Sequence, residues 1–133
     1  MQKIEHIGIV VNNIDEANNI FEKIIGKKNY KQEHVISEDV STSFFKLGES
    51  KIELIASKKT DHTINKYLKK NSNALHHIAI RVDNIISEMD RISKLGIRIL
   101  NETPKKGADN MLICFLHPKD TCGVLIELCQ EIN

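Results

Sequence analysis

Two histidines and two glutamates, set at matching places along the chain, are the residues whose types and spacing could do chemistry. His6 lies in Ile4-Glu5-His6-Ile7-Gly8-Ile9 and His77 in Leu75-His76-His77-Ile78-Ala79-Ile80. Glu53 lies in Lys51-Ile52-Glu53-Leu54-Ile55 and Glu127 in Val124-Leu125-Ile126-Glu127-Leu128. A glutamate between Ile and Leu in a strand is costly to bury uncompensated, so it faces water or meets a cationic partner. Brought together, the four side chains offer two neutral nitrogens and two anionic oxygens. Such a mixed set suits a borderline divalent ion such as Co, Ni, Mn, Fe or Zn. Four protein ligands leave coordination positions open for water or substrate. A lone strand histidine is by default a surface or packing residue, and a lone glutamate in a half-exposed strand a solvated one. The default gives way here because the pattern occurs twice.

The elements that position these residues are also written twice. Ile4 to Ile14 can be laid without gaps over Leu75 to Ile85, with His, two Ile, Val, Asn and a final Ile in register. Each stretch opens on β-branched residues suited to a strand and then meets an Asn or Asp cluster that can cap a helix. The spacing of Ile14, Ala17, Ile20, Phe21, Ile24 and Ile25 predicts a first helix, and Ile85, Ile86, Met89, Ile92 and Leu95 a second, each burying one face. Gly26 and Gly96 then stand where a left-handed terminus wants no Cβ. Three strands are predicted after each helix: near 30–36, 40–47 and 51–56 in the first copy, and near 98–101, 110–116 and 123–129 in the second. The fold class read from this order is α+β, tandem βαβββ modules forming a single domain over 1–133, with a metal site in the cleft between curved sheets. Module 1 covers about 1–57 and module 2 about 74–133. The connecting segment 58–73 holds a helical turn capped by Thr60-Asp61 and running through Ile64, Tyr67 and Leu68, then the polar run Lys69 to Asn73.

Composition narrows the classes of function. The chain has 133 residues, 41% of them hydrophobic and 28% charged, which suits one domain with a real core. A formal net charge of +1 and the lack of a basic stripe argue against a nucleic-acid partner. No apolar run approaches the roughly 18 residues of a membrane span, and Met1 to His6 holds no hydrophobic signal core, so the expected location is cytoplasmic. Cys114, Cys122 and Cys129 match no zinc spacing and read as reduced packing residues. His76 should face away from His77 by alternation, and His34, His62 and His117 fall in a strand end or loops, where solvation is the default.

Carrying His, Glu, His and Glu at these places of a duplicated strand-helix-three-strand chain, the sequence resembles the vicinal oxygen chelate superfamily. Within it, the methylmalonyl-CoA epimerase family is the most similar, above all along Phe115-Leu116-His117-Pro118-Lys119-Asp120-Thr121-Cys122-Gly123-Val124-Leu125-Ile126-Glu127-Leu128. The resemblance implies a divalent metal on His6, Glu53, His77 and Glu127, and a proton moved on the carbon next to a thioester through an enolate. It implies Glu127 as one proton carrier. The family's second carboxylate lies in a motif Glu-Gln-Gly-Val, and an ungapped match gives Ser37-Glu38-Asp39-Val40 here. Ser37 takes the Glu position, and Glu38 serves if the loop slips or bulges by one residue. The partners implied are an acyl-CoA or thiol-adduct substrate and a second copy of the chain in a homodimer. Lactoylglutathione lyase shares the ligand set, and metal-free sequestering proteins share the fold; both stay open as alternatives.

Overall fold

A computed structural model describes residues 1–57 and 73–133. The capped turn expected near Thr60 to Leu68 lies outside the described residues. By chain contacts, residues 7–76 form one compact unit, and residues 1–6 with 77–133 form another.

In the unit spanning 7–76, the chain runs from β1 (Lys3–Val10, from Ile7 on) into α1 (Ile14–Ile25), then β2 (Lys31–Val35), β3 (Val40–Leu47) and β4 (Ser50–Ala56). The last three pair antiparallel, with Val35 opposite Val40 and Phe44 opposite Glu53. Helix α1 starts where the Asn13 side chain accepts from the Glu16 N–H at 3.0 Å, satisfying a donor that has no carbonyl partner in the first turn. It stops at Gly26, whose φ of 84° lets its N–H return to the Glu22 carbonyl at 2.8 Å. Ala17, with half-buried Ile14, Phe21 and Ile25, packs on Val11, Phe45, Leu54 and Ala56.

In the other unit the order is β5 (Ala74–Arg81, from His77 on), α2 (Ile85–Lys94), β6 (Lys105–Lys106), β7 (Met111–Phe115), a 3-10 turn (Pro118–Asp120) and β8 (Ile126–Glu131). Asn84 caps α2 by accepting from the Ser87 N–H at 3.0 Å, the same device at the same place in the repeat. Parallel β5 and antiparallel β7 flank β8. Leu128, Cys114 and Leu116 turn one face of this sheet to Ile85, Met89 and Ile92 of α2, while Ala79, Met111, Ile113 and Cys129 cluster separately.

The apolar stripes are narrower than the sequence predicts. Ile20 and Ile24 on α1, Ile86 on α2 and Leu95 just past its end are exposed. At about 100° per residue, Ile20 and Ile24 sit a quarter-turn round from Phe21 and Ile25, and a helix lying on one sheet covers only the central stripe. The strand expected at 98–101 is reduced to one bridge, Ile99 with Leu116, and β8 starts at Ile126 instead of Gly123. The intervening residues close the loop around Pro118, whose carbonyl accepts from the Gly123 N–H at 2.8 Å.

Gly107 meets a tight neighbour. A Cβ there would lie 2.8 Å from Cδ1, 3.1 Å from Cγ2 and 3.2 Å from Cγ1 of the buried Ile113 side chain. Gly107→Ala is expected to destabilise the protein by about 1–3 kcal/mol through overpacking. The urea midpoint measures this, and an unchanged midpoint would mean that Ile113 yields without cost.

Candidate functional site

The strand registers of the second unit bring three of the predicted residues together. Ala79 on β5 stands opposite Glu127 on β8, so the Glu127 side chain shares a face with Ala79 and with His77 two residues earlier. Ala79 contributes only a methyl group, which leaves room for the carboxylate to reach His77. The Glu127 oxygens lie 3.3 Å from His77 Nε2 and 3.6 Å from His6 Nε2, one oxygen toward each ring. The two Nε2 atoms are 3.1 Å apart, and the rings meet edge to face with centroids 5.2 Å apart. His6 and His77 are each 5% exposed and Glu127 4%.

This geometry has a definite electrostatic requirement. Two Nε2 atoms at that separation cannot both aim lone pairs at each other. Either one carries the proton and donates to the other, or a cation stands between them and the carboxylate. His6, His77 and Glu127 each offer a ligand atom, all within 4.8 Å of one another, and could hold a metal ion. The donor chemistry fits a borderline divalent cation: two imidazole nitrogens, neutral when they ligate, and one carboxylate.

Glu53, in β4 of the unit 7–76, is buried at 6% exposure opposite the fully buried Phe44. Ser37 and Glu38 do not lie in a strand, so strand alternation does not govern their side chains. They occupy a four-residue turn closing the β2–β3 hairpin, with the Glu38 N–H donating to the Val35 carbonyl at 3.2 Å and Asp39 at a φ of 52°. Glu38 is half-buried and Ser37 exposed. His34 is placed within β2, where its Nε2 lies 3.4 Å from Asp39.

Three features beside the cluster were not read from sequence. Glu5, next to His6, is also buried, and Lys3 and Arg81 each bring a cation to 3.9 Å from its carboxylate. Burial, then the Glu127 charge, pushes the Cys114 thiol up to about 11, so it stays protonated at neutral pH. Phe115 stands opposite Glu127 across β7 and β8, and its ring meets His77 edge-on at 5.7 Å. Alternation along β7 and the Phe-Glu pairing register would have been needed to find it.

The loop leading into β8 is tied down by Arg98. Its guanidinium grips the Asp120 carboxylate at 2.9 and 3.0 Å, its N–H donates to the same group at 2.9 Å, and its carbonyl accepts from the His117 N–H at 2.9 Å. His117 Nδ1 in turn accepts from the Lys119 N–H at 3.2 Å. The Arg98 hydrogen bonds hold the Asp120 carboxyl well below the usual carboxylate range. A carboxyl depressed in the folded state keeps its tie above the ordinary aspartate value, about 3.9, and loses it as pH falls below that toward the folded value. The Arg98 amide shift in NMR is therefore expected to stay flat from about pH 8 to 5 and to move only below about pH 4. A titration of that amide near neutrality would contradict the tie.

Residues 5–115 match the model of the glyoxalase/bleomycin resistance protein/dioxygenase superfamily. The chain is 33% identical over 130 residues to an uncharacterized protein, YqjC, of Bacillus subtilis, covering 98% of this chain and 93% of that protein. It is 36% identical over 129 residues to the mitochondrial methylmalonyl-CoA epimerase of Homo sapiens, covering 96% of this chain and 73% of the relative. Among solved structures, a Streptomyces coelicolor methylmalonyl-CoA epimerase variant in complex with 2-nitronate-propionyl-CoA superposes with a TM-score of 0.94 at 29% identity, over 100% of this chain and 99% of that one.

Proposed function

From the premise that this chain belongs to the glyoxalase/bleomycin resistance protein/dioxygenase superfamily and, within it, to the methylmalonyl-CoA epimerase family, we propose that it interconverts the epimers of methylmalonyl-CoA. It is an enzyme of the isomerase type, and the reaction moves the proton on the carbon alpha to the thioester. The observation that carries this reading is the buried His6, His77 and Glu127 cluster, within 4.8 Å. A divalent ion held by these three side chains, Co, Ni, Mn, Zn or Fe, would supply Lewis-acid stabilisation of the negative charge that develops on the thioester oxygen. The sequence repeat makes Glu53, the counterpart of Glu127, the candidate fourth ligand.

Glu127 is the proposed carrier of the proton. Its buried carboxylate lies within 3.6 Å of two imidazoles, where it is a base placed to take a proton from the substrate. Inversion needs a second carrier on the other side of the reacting carbon, and Glu38, on the turn between β2 and β3, is the proposed one. Among the described residues no helix is long and apolar enough to cross a membrane. A cytoplasmic location and a homodimer belong to the same proposal.

Relative turnover tests the choice of substrate. The Co-loaded protein is expected to act on methylmalonyl-CoA and not on the hemithioacetal of methylglyoxal and glutathione. Turnover of the second alone makes it a lactoylglutathione lyase. Turnover of neither, with no metal bound, leaves a sequestering protein.

A further inference from the structure

The face of β5, β8 and β7 that carries His77 and Glu127 also carries a phenyl ring, Phe115, and its placement bears on what the site accepts. Phe115 and Glu127 are opposite each other in the antiparallel ladder, so ring and carboxylate rise side by side from one face. The planes of Phe115 and His77 are 89° apart, with centroids at 5.7 Å, and those of His6 and His77 86° apart. Phe115 therefore closes one flank of the donor cluster. Behind it, Ala79, Met111, Ile113 and Cys129 make a buried apolar floor. The equivalent pair in the other unit, Phe44 opposite Glu53, differs in one respect: Phe44 is fully buried, while Phe115 is half-buried.

The carbon that loses the proton carries a thioester, a carboxylate and a short alkyl group. The two oxygen-bearing groups would be drawn to the imidazoles and to a cation held there. The alkyl group needs an apolar surface within reach of the same donors, and the half-buried Phe115, whose ring meets His77 edge-on beside Glu127, offers such a surface. Resting on the proton transfer proposed above, we infer that Phe115 is a specificity-determining residue: its ring forms the wall against which the alkyl substituent of the reacting carbon packs, and its bulk sets how long that substituent can be.

The test compares kcat/KM for methylmalonyl-CoA and ethylmalonyl-CoA, which differ by one methylene, in the Co-loaded wild-type protein and in Phe115→Leu and Phe115→Trp. One methylene in an apolar pocket is worth about 10- to 200-fold in discrimination. Phe115→Leu is expected to raise the ethyl-to-methyl ratio at least about tenfold, and Phe115→Trp to lower it. Co binding, followed by calorimetry, should stay within about threefold of wild type in Phe115→Leu, because no ligand atom is removed. An unchanged ratio overturns the inference, including the case in which both substrates slow equally through loss of packing. If the wild-type protein turns over neither substrate, the epimerase reading falls first and takes this inference with it.

Discussion

Glu127→Gln is expected to lower turnover of methylmalonyl-CoA by about 10²- to 10⁴-fold, the usual cost of removing a positioned proton carrier. The amide matches the carboxylate in shape, so the packing on Ala79 and Phe115 is kept. What is lost is the negative charge facing two Nε2 atoms and the capacity to take a proton. The variant should also bind Co more weakly, and the two effects separate at saturating metal, where the loss of a ligand is masked and the loss of the base is not. Steady-state kinetics at increasing Co measures this. Wild-type turnover in a variant that still binds metal would remove Glu127 from the chemistry.

The repeat made much of the fold legible. The Asn13 and Asn84 caps, the left-handed glycines Gly26 and Gly96, and strand β3 lie where periodicity and turn chemistry place them, because each depends on neighbours within a few residues. The approach of His6 to His77 was legible for another reason: two copies of one pattern related by duplication put equivalent residues in equivalent places. What depended on pairing between distant segments was not legible. The first six residues cluster with 77–133 and not with the module in which they are written, a division that no local signal encodes. The segment 98–101 has strand composition, yet Arg98 is committed to Asp120 and only Ile99 pairs. Phe115 is one apolar residue among several in β7, and the register alone puts it opposite Glu127. Ser37 and Glu38 lie in a hairpin turn, which has no alternating faces from which their placement could be read.

His77→Ala is expected to cost the protein its metal. Four-ligand zinc sites bind with about 10–16 kcal/mol, so one ligand carries roughly 2.5–4 kcal/mol, on the order of 10²- to 10³-fold in affinity. The substitution also leaves His6 Nε2 without its partner at 3.1 Å and Phe115 without the ring it meets edge-on, so the apo protein should melt earlier as well. His76→Ala is the matched control. His76 adjoins His77 on β5 but by alternation faces the other way, and its loss should leave Co affinity within about threefold of wild type. Titration calorimetry with Co, with the visible absorption of the bound ion as a second readout, distinguishes the two variants. Equal affinity in wild type and His77→Ala would mean that the buried pair is a hydrogen-bonded packing element and no part of a metal site.

The proposed reaction itself is tested most directly by incubating the Co-loaded protein with one epimer of methylmalonyl-CoA in deuterated water and reading, by NMR, deuterium at the alpha carbon together with the ratio of epimers. Proton removal through Glu127 predicts that deuterium enters that carbon, and a second carrier predicts that the two epimers approach equal amounts as it does. Exchange without inversion would mean that Glu38 does not serve as the second carrier. Neither exchange nor inversion, in protein shown to hold its metal, would contradict the account.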